Sequence, residues 1–158
     1  MRNFILLTLF TTCFTQSTFT QTASQEISQS AVVSEKIDQL FTYFDFMGNA
    51  LRVDESVYPL LFAPDFKMII NGKIVLDGRE NLTPHFELLL SQVSRVDLAL
   101  HEKIIANDKA IMRYDLMKPG KSTSKVIAIF KFRDGLVYEM NEVVYSVDPS
   151  CEIDFTSK

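Results

Sequence analysis

Four β-type runs separated by three turn dipeptides fill the C-terminal part of this chain, and they limit its possible folds more than any other feature. The runs are Arg95–Ala106, Lys109–Met117, Thr123–Arg133 and Leu136–Val147. Asn107-Asp108, Pro119-Gly120 and Asp134-Gly135 separate them. Each pair has turn chemistry, because Asn, Asp and Gly tolerate left-handed backbone and Pro presets φ. Connections this short place consecutive strands side by side and antiparallel, so a four-stranded meander is expected. In the third run Val126, Ala128, Phe130 and Phe132 point to one face, and Ile127 and Ile129 to the other. A sheet apolar on both faces needs cover on both. Helices can cover one face. A chain of 158 residues has little left for the other, so a second copy packed sheet to sheet, a homodimer, is the expected cover.

The residues before the meander supply those helices. Ile37, Leu40, Phe41, Phe44 and Met47 recur at helical spacing, and Gly48-Asn49 is expected to stop that helix. Asp54 is a suitable N-cap for a short second helix through Val57, Leu60, Leu61 and Phe62, limited by Pro64. Asn71-Gly72 between Phe66–Ile70 and Lys73–Leu76 is a strong hairpin signal, and Asp77-Gly78 closes it. Thr83 and Pro84 open a third helix with Phe86, Leu89, Leu90 and Val93 on its buried face. The order ααββαββββ is a single α+β domain, expected over residues 35–148.

The N-terminal residues read as an address rather than as part of the fold. Arg2, the run Phe4–Phe10 and a Thr/Ser/Gln-rich stretch describe a secretory signal peptide over residues 1–22, cut between Ser17 and Ala23. The run is too short to span a membrane. The mature protein is expected to be exported, periplasmic or secreted, with a flexible lead-in over 23–34 and a tail over 149–158. Loss of Arg2 moves the net charge from −4 to −5, which argues against a nucleic-acid partner. Cys13 leaves with the signal. Cys151 then has no partner within the chain; it either pairs between chains or is an inert tail thiol. His85 and His101 share no metal-ligand spacing, and no phosphate loop or nucleophile elbow is present. No metal and no cofactor is therefore expected. Asn81-Leu82-Thr83 is a glycosylation sequon, meaningful only in a eukaryotic secretory host.

Three stretches carry a family resemblance. They are Phe62-Ala63-Pro64-Asp65 before the first strand, Leu76-Asp77-Gly78-Arg79-Glu80 before the third helix, and Phe130–Glu139 across the last hairpin. In this order and at this spacing the chain resembles the nuclear transport factor 2-like superfamily, in its SnoaL-like branch, over about residues 35–148. The resemblance implies a cone-shaped domain, three helices on a strongly curved, mainly antiparallel sheet, with a pocket against the concave face. It also implies frequent dimerisation, and no single function. The ketosteroid isomerase pattern within the superfamily needs acids near Ile70 and Ala128, both apolar here, and Tyr43 is the nearest candidate for its tyrosine donor.

The limonene-1,2-epoxide hydrolase pattern is matched in part. Arg113 and Asp115 have its Arg-x-Asp spacing, and Glu142 falls on the last strand near the position of its second acid. Its water-holding partners align near Met68 and Ile70, with Asn71 one residue away. Residues two apart on a strand share a face, so Arg113 and Asp115 project together. In an enzyme, Asp115 would be the base, Glu142 the acid and Arg113 the orienter, with the two acids exchangeable. Tyr43, Met68, Ile70, Met117, Ala128, Phe130 and Met140 would line the pocket. The opposing reading buries Met112, Tyr114 and Leu116 and leaves Arg113 and Asp115 as a solvated pair. The expected function is that of an exported small-molecule pocket protein, in catalytic form a cofactor-independent hydrolase or isomerase of an apolar oxygenated compound. The alternative is a non-catalytic ligand-binding or protein-interaction module of the same fold.

Overall fold

Asn71 and Gly72 both take positive φ, 50° and 78°, as a two-residue type I′ hairpin turn requires. They join β1 (Phe62–Ile70) to β2 (Lys73–Asp77). The meander follows as β3 (Asp97–Ala106), β4 (Lys109–Met117), β5 (Ser124–Arg133) and β6 (Leu136–Ser146). Its boundaries lie within two residues of those expected from the turn dipeptides. The computed structural model describes residues 16–120 and 123–146. The first fifteen residues of the expected signal peptide, the tail and both cysteines lie outside the described residues.

The strands form one six-stranded sheet in the order β2-β1-β6-β5-β4-β3. β1 lies parallel to β6, and every other neighbouring pair is antiparallel. The architecture is α+β, with three helices and a mixed, curved sheet; the class follows from the element order, and the curvature is what the family resemblance implied.

α1 (Gln16–Ala50) buries Val33, Ile37, Leu40 and Phe44, positions three and four apart that form one stripe against the sheet. The expectation for residues 23–34 is corrected here. The segment is helical, and Val33 is 1% exposed within the core. Its Ser/Gln-rich composition suggested a loose lead-in, but one buried valine in phase with Ile37 ties it to the domain. Gly48 does not stop α1. The helix runs on to Ala50, and Leu51 turns out at φ 52°. Gly48 instead permits a close approach: its carbonyl accepts from Val96 N at 3.1 Å, and a Cβ there would lie 2.3 Å from Val96 O.

Asp54 caps as expected, accepting from Ser56 N, but it opens a 3-10 turn (Glu55–Val57) before the four-residue α2 (Tyr58–Leu61). Phe62 already belongs to β1. A second 3-10 turn (Arg79–Asn81) precedes α3 (Leu82–Leu90), which starts at Leu82 with Pro84 in its first turn. Leu82, Phe86 and Leu90 form its buried stripe, whereas Leu89 is exposed.

All three helices pack on one face of the sheet. This inner face carries Phe66 and Met68 of β1, Ala110, Met112 and Tyr114 of β4, and Val126, Ala128 and Phe130 of β5. Among the described residues no helix covers the opposite, outer face, where Ile104, Ile127 and Val143 are exposed. No helix among the described residues is long and apolar enough to cross a membrane.

Candidate functional site

Strand alternation divides the expected catalytic trio. On β4 the even positions Ala110, Met112 and Tyr114 are buried, so Arg113 and Asp115 stand on the outer face. Arg113 pairs there with Glu102 at 3.2 Å, and Asp115 with His101 Nε2 at 3.1 Å. On β6, Met140 and Glu142 face inward. The sheet therefore lies between Glu142 and the other two residues. The expectation that Arg113, Asp115 and Glu142 converge is corrected. They cannot share a water or a substrate; the opposing reading gives the right face for Arg113 and Asp115, but each pairs with a residue of β3 and not with the other.

Glu142 keeps the inward position expected of it. It is 7% exposed and is the buried charged residue among those described. Register sets it beside Ala128 on β5 and Ile70 on β1. Met140 is paired with Phe130 and with Met68. Of the seven expected pocket residues, Met68, Ile70, Ala128, Phe130 and Met140 thus gather on the inner face around Glu142. Met117 has the strand parity of Arg113 and Asp115 and leaves this group. Tyr43 is buried near α2 instead; its hydroxyl accepts from Asp54 N at 3.2 Å, and its ring meets Tyr58 edge-on.

The partner of Glu142 is Tyr114, whose hydroxyl donates to Glu142 Oε1. Tyr114 had a place in the sequence reading only as buried filler. Its role follows from register: β4 pairs Tyr114 with Val126 and β5 pairs Val126 with Val144, which puts the phenol diagonally across from Glu142. Burial pushes the Glu142 carboxyl above its ordinary range, and the hydrogen bond from Tyr114 opposes that shift without cancelling it. Burial, and then the nearby carboxylate, push the Tyr114 phenol well above its ordinary range. No ion pair among the described residues reaches Glu142. A buried carboxyl with a phenol beside it and no cation holds its proton more readily than a surface acid. Chemically it can donate a hydrogen bond or a proton to an oxygen.

The expected apolar pocket around this pair is filled. Phe41 of α1 stands edge-on to Tyr114 at 5.4 Å and to Phe130 at 6.4 Å, and Phe44 packs on Phe41. Hollows lie elsewhere. One of about 620 Å³ runs along α1 from Ala31 to Thr42. Another of about 380 Å³ lies between Tyr58, Pro64, Arg79 and Thr83. None of the expected pocket residues lines either one. Among the described residues no cluster of His, Cys, Asp or Glu could hold a metal ion.

No model of a known protein family matches the sequence, and no curated protein matches it. Solved structures do match. A candidate SnoaL-like polyketide cyclase from Jannaschia sp. CCS1 superposes with a TM-score of 0.58 at 17% identity, covering 70% of this chain and 85% of its own. A nuclear transport factor 2-like protein of unknown function from Mesorhizobium loti gives 0.58 at 17% identity, covering 75% of this chain and 94% of its own. A candidate ketosteroid isomerase from Kribbella flavida DSM 17836 gives 0.54 at 14% identity, covering 77% and 81%. At these identities the likeness is one of fold.

Proposed function

We propose, starting from the nuclear transport factor 2-like fold that this chain has, in its SnoaL-like form, that it is an exported protein binding a neutral, apolar, oxygenated small molecule against Glu142. The observation that carries the reading is the buried Glu142–Tyr114 pair on the concave face, in a wall of Met68, Ile70, Ala128 and Met140. Apolar walls with one polar anchor are the usual form of a small-molecule site. Tyr114 occupies Glu142 Oε1, which leaves Oε2 to meet a carbonyl, ether or epoxide oxygen. Phe41 is the side chain that such a ligand would displace. In a catalytic form Glu142 is the acid and Tyr114 the residue that positions it, and the chemistry is an isomerisation or hydrolysis without a cofactor.

A second reading, a non-catalytic module of the same fold, is favoured by one observation. The aromatic contacts of Phe41, Tyr114 and Phe130 fill the space that a substrate needs. One experiment decides between these outcomes. The protein and its Glu142→Gln variant are titrated with a panel of apolar ketones and epoxides by ligand-observed NMR, and turnover is followed in the same tubes. Binding lost in Glu142→Gln supports the site, and turnover lost with it supports the enzyme. Binding without turnover supports the module. No binding by any compound, or binding that Glu142→Gln leaves unchanged, refutes the site. Export is tested by N-terminal sequencing of protein recovered outside the cytoplasm: a start at one of residues 18 to 23 is expected, and an intact Met1 refutes it. In this reading the protein works as a pair, with a second copy on the outer sheet face.

A further inference from the structure

A hollow of about 380 Å³ opens where α2, the start of β1 and the start of α3 meet. Pro59 and Pro64 give it apolar walls, and Tyr58 and Thr83 bring hydroxyls. Its charges are Arg79, Glu55 and Glu80. Among the described residues none of these three forms an ion pair. Arg79 donates through Nη1 to the carbonyl oxygen of Phe62 at 3.0 Å. That bond fixes the guanidinium against β1 and leaves its other N–H groups to donate. Glu80 is held as well. Gly78 has a φ of 92°, and a Cβ there would lie 2.2 Å from Glu80 Oε1, so the carboxylate folds back over the Gly78 backbone.

Tyr58 adds an independent sign of a ligand. The residue is 5% exposed, with its ring edge-on to those of Tyr43 and Phe62. Its buried hydroxyl has no hydrogen-bond partner in place, although the Tyr43 and Thr83 hydroxyls lie near enough to act on its ionisation. Burial pushes the phenol above its ordinary range, so it is a neutral donor. A buried tyrosine hydroxyl is ordinarily paired. One left open in the wall of a hollow is a group that a ligand can satisfy.

We infer that this hollow binds a basic α-amino acid of the lysine type. The ligand carboxylate meets Arg79 in charge-assisted hydrogen bonds and accepts from the Tyr58 hydroxyl. Glu55 and Glu80 take the two ammonium groups, one each. The methylene chain lies along Pro59 and Pro64. Charge selects the class. The hollow holds one cation and two anions, and a basic amino acid brings one anion and two cations, so every charge gains a counter-charge. A neutral amino acid leaves one glutamate unmatched. A simple carboxylate leaves both, and a diamine leaves Arg79 facing a cation. A molecule of about ten non-hydrogen atoms fits a hollow of this volume. Binding there leaves the Phe41 ring in place, unlike binding at Glu142.

Titration of the purified, nitrogen-15-labelled protein with L-lysine at low salt, followed through its amide shifts, tests the inference. L-norleucine, which lacks the side-chain ammonium, and cadaverine, which lacks the carboxylate, are titrated beside it, as are Arg79→Gln and Glu55→Gln with lysine. Expected is saturable lysine binding with shifts centred on residues 55–59 and 79–83. Either analogue, and either variant, is expected to bind at least about tenfold more weakly, as loss of a bond between charged groups implies. Glu55 is exposed on its 3-10 turn, so Glu55→Gln reports on binding even where Arg79→Gln, which gives up the bond to Phe62, fails to fold. No saturation by lysine up to tens of millimolar overturns the inference. So do shifts centred elsewhere, an analogue that binds as tightly as lysine, or lysine binding that a folded Glu55→Gln chain retains in full.

Discussion

Tyr114→Phe isolates the one polar interaction at the centre of the inner face. The substitution removes a single oxygen and keeps the ring, so the edge-on contact with Phe41 persists. What is lost is the donor to Glu142 Oε1. With the carboxyl neutral, one ordinary buried hydrogen bond disappears, worth about 1 kcal/mol. With the carboxyl ionised, a bond to a charged group disappears, worth about 1.5–3 kcal/mol. The pH dependence follows from the direction of the Glu142 shift. Its folded pKa lies above that of the unfolded chain. The proton it holds in the fold therefore adds stability that is fully present below the unfolded pKa and is lost as pH rises through the folded pKa. The phenol lowers the folded value, so Tyr114→Phe raises it and extends the loss to higher pH. At about 4 °C per kcal/mol for a domain of this size, the expected fall in Tm is about 4 °C at a pH below the Glu142 transition and about 6–12 °C at a pH above it. Thermal unfolding at both pH values measures it, with Glu142→Gln and the double variant closing a cycle. An equal loss at the two pH values, or no loss at either, refutes the picture of a buried carboxyl held by Tyr114.

Gly48→Ala is expected to destabilise by about 1–3 kcal/mol in urea unfolding, because the new Cβ would lie 2.3 Å from the Val96 carbonyl oxygen and α1 must shift. Asn71→Ala is expected to cost about 1–3 kcal/mol in the same assay: its side chain both donates to Val144 O and accepts from Val144 N, and its φ of 50° disfavours a residue with no such bonds. Asp115→Asn is expected to change stability by under about 1 kcal/mol, since its pair with His101 is partly exposed. It should also leave any turnover intact; abolished turnover in a folded Asp115→Asn chain would return that residue to the site.

The 23–34 segment shows how composition can mislead at a domain edge. Ser and Gln are common there, yet Lys103 of β3 reaches Ser34 and Asp38 on α1, and Val33 fills the core beneath. One apolar residue in phase with the next helical stripe outweighs its polar neighbours. The third helix shows the same effect in reverse: Leu89 suggests burial but is exposed, because nine residues can turn only one narrow stripe toward the sheet.

Local chemistry in the sequence determined the strands, their turns and the α+β class. Asn-Gly and Asp-Gly set two hairpins through backbone geometry alone, and alternation along β5 marked both faces as apolar. The sequence also placed Glu142 on the last strand, and the register of the sheet sets it beside Ala128. Only the tertiary structure decided which face of β4 points inward. That choice separates Tyr114 from Arg113 and Asp115, and a shift of one residue in register would reverse it. The alternation Ile111, Arg113, Asp115 against Ala110, Met112, Tyr114 permits either side to be buried when β4 is read alone. Packing resolved it, because the set that could fit beneath α1 without leaving an unpaired charge was Ala110, Met112 and Tyr114. The meeting of Tyr114 with Glu142 has the same origin: it joins residues far apart in the chain, through pairings that no local pattern contains.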